Sequence, residues 1–268
     1  MIQESLPHPV SVSQQYCLVV IPTYNEALNI LPLIDAVLAQ SDKLDVLVVD
    51  DNSPDGTGDL VEALSRENPR VRVLRRAGKM GLGTAYLAGF QVALQHNYAF
   101  VCQMDADFSH QPRYLPGLLA AAETFADVAI GSRNIHGGKV ENWSLVRQLI
   151  SRGGSLYAKL ILGLPIHDVT GGFKCFRAGV LRQLDLAAVG SNGYAFQVEM
   201  NFRCHQAGFT LLELPITFPD RVAGQSKMSS RIVKEAAIMV LRLRVKAWFS
   251  PRPPARIAAP APSSVHHS

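Results

Sequence analysis

No stretch of this 268-residue chain reaches the roughly 18 to 20 uninterrupted apolar residues that a membrane-spanning helix needs. The best run, Ala236 to Phe249, is broken by Arg242, Arg244 and Lys246, so the chain is not expected to cross a membrane unaided. The first fifteen residues lack the basic start and apolar stretch of a signal peptide. Cysteine is scarce: Cys17, Cys102, Cys175 and Cys204 lie far apart, with no C-x-x-C pair and no histidine at zinc spacing. That reads as buried structural thiols in a reducing compartment. Charge of either sign is modest. The net value of +4 suits phosphorylated ligands or an anionic lipid surface and implies no nucleic-acid partner. Apolar content of 48% is enough for one substantial core.

What is present is a repeating βα pattern. The run from Tyr16 to Pro22 is apolar and β-branched, and residues 25–40 then carry apolar side chains at helical spacing. Leu44 to Val49 repeats the buried-strand signature and stops at Asp50-Asp51; a turn-rich segment leads to a helix over Leu60 to Glu67. Arg70 to Leu74, Thr84 to Gln95, Phe100 to Met104, Arg113 to Phe125 and Asp127 to Gly131 continue the alternation. Such a chain predicts an α/β fold with a mostly parallel sheet, whose ligands bind at the carboxyl ends of the strands. A less regular half is expected from there to about Asp220.

Three clusters fall at those strand ends. Asp105-Ala106-Asp107 closes the fourth strand, and two carboxylates on a rigid strand end can hold a hard divalent cation against a diphosphate. A lone D-x-D is nevertheless common in loops. Pro22-Thr23-Tyr24-Asn25-Glu26 follows the first strand. It offers a ring to stack on a base and a carboxylate for base or ribose, or simply a helix start capped by Thr23 or Asn25. Asp51 ends the second strand, near the same nucleoside or as a turn former.

The glycine loop Gly78-Lys79-Met80-Gly81-Leu82-Gly83 invites a nicotinamide-dinucleotide reading. It follows the third strand rather than the first, and Tyr86 stands where a third glycine belongs, so close approach to a diphosphate with Lys79 as charge partner is preferred. Arg133, Arg147, Arg152, Arg221 and Lys227 recur in the second half, where a transferase between two phosphorylated substrates needs cations. Each taken singly reads equally as a solvated surface charge. Asp168 and Glu199 can orient a sugar or satisfy local backbone.

From Ser229, apolar Ile232, Ala236, Met239, Val240, Leu243 and Ala247 form one stripe of a basic helix. It suits either an anionic lipid surface or its own domain. The implied division is a disordered stretch over 1–15, a catalytic domain over 16–228, the amphipathic helix over 229–249 and a Pro/Ala-rich disordered tail over 250–268.

In order along the chain, IPTYNE, VVDDNSPDGT, GKMGLGTAY, MDADFSHQP, IGSRN, LISRGG, DVTGGFKCFR, GYAFQVEM and PITFPDRVAGQSKMS resemble the dolichyl-phosphate (polyprenol-monophosphate) mannosyltransferases. These are inverting family-2 glycosyltransferases. The resemblance implies a GT-A-type fold, Mg²⁺ or Mn²⁺, GDP-mannose as donor, polyprenyl or dolichyl phosphate as acceptor, and peripheral attachment to the cytoplasmic face of a membrane. By motif, Pro22, Tyr24, Glu26, Val49 and Asp51 would hold the guanosine, and Asp105, Ala106 and Asp107 would meet metal and diphosphate. Arg133, Arg221 and Lys227 would bind donor or acceptor phosphate and act with Asp107 in catalysis. Arg147 and Ser151, with Arg133, would contact the lipid phosphate. Where some relatives carry a metal-binding glutamine two residues after D-x-D, this chain has Ser109, leaving Gln111 or water to complete the shell. TGGF stands where several relatives have TGSF. The helix after Ser229 either rests on the bilayer or docks a separate membrane-anchoring subunit. Transfer of glucose or an aminosugar, and a non-catalytic nucleotide-sugar-binding subunit, are the competing readings. A processive polysaccharide synthase is disfavoured by the missing Q-x-x-R-W and spanning helices.

Overall fold

The structure, a computed structural model, describes residues 16–220 and 230–249. The apolar strand runs settle as β1 (Cys17–Thr23), β2 (Leu44–Asp50), β3 (Val71–Arg75), β4 (Phe100–Gln103) and β5 (Val128–Ser132). Between them stand α1 (Ile30–Leu38), α2 (Thr57–Glu67), α3 (Leu82–Gln95) and α4 (Leu115–Thr124). The first helix starts five residues later than its periodicity predicts. Asn25 takes a left-handed φ of 62°, and the chain becomes helical only at Ile30, with Pro32 tolerated in the first turn.

The segment expected to be irregular is in fact mostly regular. It holds a short β6 (Lys139–Val140), α5 (Leu145–Leu162), β7 (Lys174–Arg177), α6 (Ala178–Gln183), α7 (Tyr194–Gln206), β8 (Leu211–Pro215) and β9 (Thr217–Phe218). The helical period was masked for two physical reasons. In α5, apolar side chains lie on the outward side as well as the inward one, and Gly153-Gly154 interrupts them. In α7, polar Gln197, Glu199 and Asn201 are buried beside Phe196, Val198, Met200 and Phe202, so the helix has no polar stripe there.

Seven strands form one sheet in the order β3-β2-β1-β4-β7-β5-β8. All pairings in it are parallel except those of β7, which runs antiparallel to β4 and β5. Side chains alternate between two apolar layers. Leu18, Val20, Val101 and Phe176 face α3, α5, α6 and α7, whereas Cys17, Val19, Cys102 and Cys175 face α1 and α4. At Gly89 the backbone of α3 comes so close to β1 that a Cβ would stand 2.3 Å from Val20 Cγ1. All four cysteines are free and buried. The parallel run β3-β2-β1-β4 brings the ends of β1, β2 and β4 together on one rim.

The last helix, α8 (Ser230–Phe249), lies against α5 and α7. Val240 is buried in the core, and Met239, Leu243 and Ala247 pack against it. Of the stripe that the pattern offered to lipid or to its own domain, Met239, Val240, Leu243 and Ala247 are thus taken by the domain, while the side chains of Ile232 and Ala236 lie outside the described residues. Among the described residues, no helix is long and apolar enough to cross a membrane.

Candidate active site

The first wall of the site rises where β1 and β2 stop. Tyr24, Asn25 and Glu26 follow β1, and the β2–α2 loop pins them with side chains. Ser53 Oγ accepts the Asn25 N–H at 3.0 Å, Thr57 Oγ1 that of Glu26 at 2.9 Å, and Asp55 that of Ala27 at 3.0 Å. The turn-rich NSPDGT segment therefore holds the PTYNE loop in place. Tyr24 remains exposed, with the Lys79 ammonium 3.9 Å from its ring centroid. Lys79 thus sits on the aromatic face of Tyr24. Pro22 is partly buried in β1, and the side chain of Val49 lies wholly in the core, so any contact from Val49 to a ligand is left to its main chain.

Asp51 is buried and clamped from two sides. Arg76 pairs with Oδ1, and the Met80 N–H donates to Oδ2 at 3.2 Å. Arg76 also donates to Thr84 Oγ1 at 2.7 Å and to the Gly81 carbonyl at 3.2 Å, which ties the glycine loop to the end of β2. A carboxylate has about four lone-pair sites, so Asp51 keeps acceptor capacity for a further hydroxyl. Gly81 has φ 103°, and a Cβ there would lie 2.8 Å from Asn192 Oδ1.

Past the end of β4, Ala106 turns into the core while Asp105 and Asp107 stay with the loop. Tyr86 O–H donates to Asp105 Oδ1 at 2.9 Å. Burial, reinforced by the Asp105 charge, pushes the Tyr86 phenol well above its ordinary pKa and keeps it a donor. Phe108 takes a left-handed φ of 60° and reverses the chain. Ser109 can then give its N–H and hydroxyl to Asp107 Oδ1 at 3.1 and 2.5 Å. Ser109 holds the carboxylate rather than extending the donor set. Behind it, His110 Nδ1 accepts the Asp105 N–H at 2.9 Å, and its ring stacks on Phe173. Burial lowers the His110 pKa against the opposing charges of Asp105 and Asp107, so the ring is neutral with its proton on Nε2. Gln111 Oε1 is buried with no hydrogen-bond partner among the described residues. Two carboxylates and an orphaned carboxamide oxygen within one short loop make an oxygen set of the kind hard divalent cations take. Gly172 comes in from the side. A Cβ there would stand 3.3 Å from both Gln197 Nε2 and His110 Cε1, so TGGF leaves a space that a serine would crowd.

The far wall comes from the ends of β5 and α5. Arg133 is buried and bound fork to fork with Asp168: Nε to Oδ2 at 2.7 Å, Nη2 to Oδ1 at 2.6 Å, and its N–H to Oδ2 at 2.9 Å. Burial works to raise the Asp168 pKa, but the Arg133 guanidinium and its hydrogen bonds hold the carboxyl below the ordinary value. One edge of Arg133 is therefore committed to Asp168. Arg147 lies in the first turn of α5, with Ser151 one turn later on the same face. Arg147 Nη1 bonds Asp220 Oδ1 at 2.7 Å, and its guanidinium covers the ring of Trp143, whose other neighbours include Arg133 and Phe218. Glu199 is occupied locally, by Arg203 and the Ser191 N–H.

Tyr24, Glu26 and Asp51 thus share one rim with Asp105 and Asp107, while Arg147 and Ser151 share a helix face. Arg221 and Lys227 fall outside the described residues, as do the expected tails over 1–15 and 250–268. Sequence reasoning passed over Arg76, His110 and Trp143 and saw Tyr86 only as an obstacle to a dinucleotide motif. All but Trp143 stood inside or beside quoted motifs; none is marked by type, because each acts through a partner distant in sequence.

The model of glycosyl transferase family 2 matches residues 18–185. The chain is 50% identical over 226 residues to an undecaprenyl-phosphate mannosyltransferase of Micrococcus luteus, covering 84% of this chain and 92% of that protein. It is 45% identical over 227 residues to a polyprenol monophosphomannose synthase of Mycolicibacterium smegmatis, covering 84% and 86%. A solved mannosyltransferase from Pyrobaculum calidifontis, in complex with GDP-Man and Mn²⁺, is 19% identical with a TM-score of 0.56, over 93% of this chain and 70% of that one. That last likeness is one of fold, the GT-A-type arrangement.

Proposed function

The chain belongs to glycosyl transferase family 2, and on that premise we propose that it transfers mannose from GDP-mannose to a polyprenyl or dolichyl phosphate, with inversion at the anomeric carbon. The identity to relatives named for polyprenol-phosphate mannosylation supports the sugar and the acceptor class. The observation that carries the chemistry is the D-x-D loop at the carboxyl edge of the sheet, with two braced carboxylates and, four residues after Asp107, a buried Gln111 oxygen that has no hydrogen-bond partner among the described residues. Asp105, Asp107 and Gln111 would hold Mg²⁺ or Mn²⁺. Bound there, the ion would supply charge neutralisation for the departing diphosphate.

The chain's own residues do the rest by position and charge. Tyr24 offers a stacking face for the base, and Glu26 and Asp51 offer acceptors for the nucleoside. Arg147 and Ser151 receive the acceptor phosphate, with Arg133 between them and the sugar. A phosphate monoester has a second pKa of roughly 6 and is largely dianionic at neutral pH, so its oxygen attacks without a strong general base. Catalysis then rests on alignment and on cationic relief of the leaving group, with Arg221 and Lys227 as further cations. Attachment is peripheral, at the cytoplasmic face of a membrane, where the acceptor's headgroup lies.

The test is transfer of radiolabelled sugar from GDP-mannose, with UDP-glucose alongside, to a short polyprenyl phosphate with and without Mg²⁺ or Mn²⁺. Labelling from GDP-mannose alone, lost in Asp107→Ala, is expected. Labelling from UDP-glucose would overturn the donor, and none from either would favour a non-catalytic subunit.

A further inference from the structure

Gln197 is buried in α7, 3% exposed, and its two amide atoms are treated differently. Oε1 accepts from Lys174 Nζ at 2.7 Å, and the same Nζ reaches the Gln197 main-chain carbonyl at 3.4 Å. A main-chain carbonyl can only accept, so Nζ stands there as a donor to both and holds the carboxamide with its oxygen inward. Nε2 is thereby turned the other way, and it makes no hydrogen bond to a described residue. An amide donor left unmet in a protein interior is costly and calls for a partner.

Nε2 faces the TGGF loop. A Cβ on Gly172 would stand 3.3 Å from Gln197 Nε2 and 3.3 Å from His110 Cε1. The bare Cα therefore keeps open a gap with the carboxamide on one side and the imidazole on the other. His110 ties that gap to the D-x-D, since its Nδ1 takes the Asp105 N–H. The other end of the loop is tied to the far wall. Thr170 Oγ1 accepts from Arg133 Nη2 at 3.2 Å, and a Cβ on Gly171 would stand 3.3 Å from Asp168 Cγ. The loop over Thr170 to Gly172 thus runs from the Arg133–Asp168 pair to the carboxylates past β4.

We propose that Gln197 is a specificity-determining residue whose Nε2 N–H, presented past the bare Cα of Gly172, donates to one hydroxyl of the transferred hexose. The inference rests on the donor reading above, and it deepens it by naming a group that tells one hexose from another. With the diphosphate at the D-x-D and the acceptor phosphate at the far wall, the group in transfer lies along this loop. Epimeric hexoses differ only in the direction of a single hydroxyl. A fixed, buried donor that meets one epimer's hydroxyl is left unmet by the other, which makes the discrimination strong. Lys174 is the positioning residue, because its bond to Oε1 keeps the amide from flipping.

The test measures kcat/KM for GDP-mannose and for its monodeoxy analogues, each lacking one sugar hydroxyl, in the full chain, in Gln197→Met and in Gly172→Ser. Gln197→Met removes the donor at similar volume. Gly172→Ser leaves Gln197 and Lys174 in place and closes the gap with a hydroxyl of its own, so it decides alone if the core does not accept the methionine. In the wild type, loss of one particular hydroxyl is expected to lower kcat/KM by about tenfold to a hundredfold. Both variants should bring GDP-mannose down to about the level of that analogue and erase the penalty at that hydroxyl, with the penalties at the others unchanged. Loss on every substrate alike, with the wild-type penalty kept at each hydroxyl, would make Gln197 a packing residue and overturn the proposal. A wild type that transfers no sugar from GDP-mannose would instead remove the donor reading, and this inference with it.

Discussion

The Arg147 guanidinium lies 3.9 Å from the centroid of the Trp143 ring, and that ring also has the Arg133 guanidinium 5.6 Å from its centroid. One indole thus couples two cations of the site's far wall. Stacking of this kind is worth about 0.5 to 2 kcal/mol per pair. Trp143→Ala should raise the KM for polyprenyl phosphate by about tenfold, with a smaller effect on the KM for donor, and Trp143→Phe should restore much of it. Steady-state kinetics with each substrate varied in turn separates the two constants.

Tyr86 reaches Asp105 from inside the core, where its ring also stacks on Phe196. Tyr86→Phe keeps the packing and removes only the donor. Groups that orient a metal ligand typically change metal affinity by about 10 to 100-fold when lost. The divalent ion concentration for half-maximal activity should rise within that range, with thermal stability nearly unchanged.

Arg76 is the only side chain seen to neutralise Asp51 among the described residues. Its removal leaves a buried carboxylate unpaired and frees the glycine loop. Arg76→Ala should lower stability by about 3 to 5 kcal/mol and weaken nucleotide binding. Denaturant titration and calorimetry with GDP read the two effects. Retention of full nucleotide affinity would show that the clamp serves folding alone.

Lys174 is wholly buried in β7 and donates to Gln197 Oε1 at 2.7 Å. Burial pushes its pKa down to about 7, against the pull of Cys204 and Asp168. The unfolded amine titrates near about 10.4, so between those values the unfolded chain binds the proton that the folded one rejects. Stability from this residue is present above the unfolded value and is lost as pH falls toward about 7. Urea midpoints at rising pH should increase for the wild type relative to Lys174→Met, and parallel curves would refute the depressed pKa.

The first half of the fold was legible because its strands are buried on both faces and read as apolar runs. Each run ends where polar residues gather, so Asp51, Asp105 and Asp107 could be placed on the rim without coordinates. The second half was not, since α7 buries Gln197, Glu199 and Asn201 and α5 exposes leucines. A pattern reader takes both as noise, although one is a polar interior and the other an outward surface. Asp168 shows the same limit in the site itself. Its residue type allowed a sugar contact or a local backbone bond, and only the fold made it the partner of Arg133.

The order of elements, the parallel sheet and the strand ends that carry the carboxylates were all legible in the amino-acid pattern, because they depend on local hydrophobic period and on short turns. Which groups brace those carboxylates was settled by contacts between residues far apart in the chain. Tyr86 meets Asp105 across 19 residues, Arg76 meets Asp51 across 25, and Arg147 meets Asp220 across 73. The tertiary structure also decided what the apolar stripe of α8 meets. The pattern offered that stripe to lipid or to its own domain, and only the shape of the body beneath could choose between them.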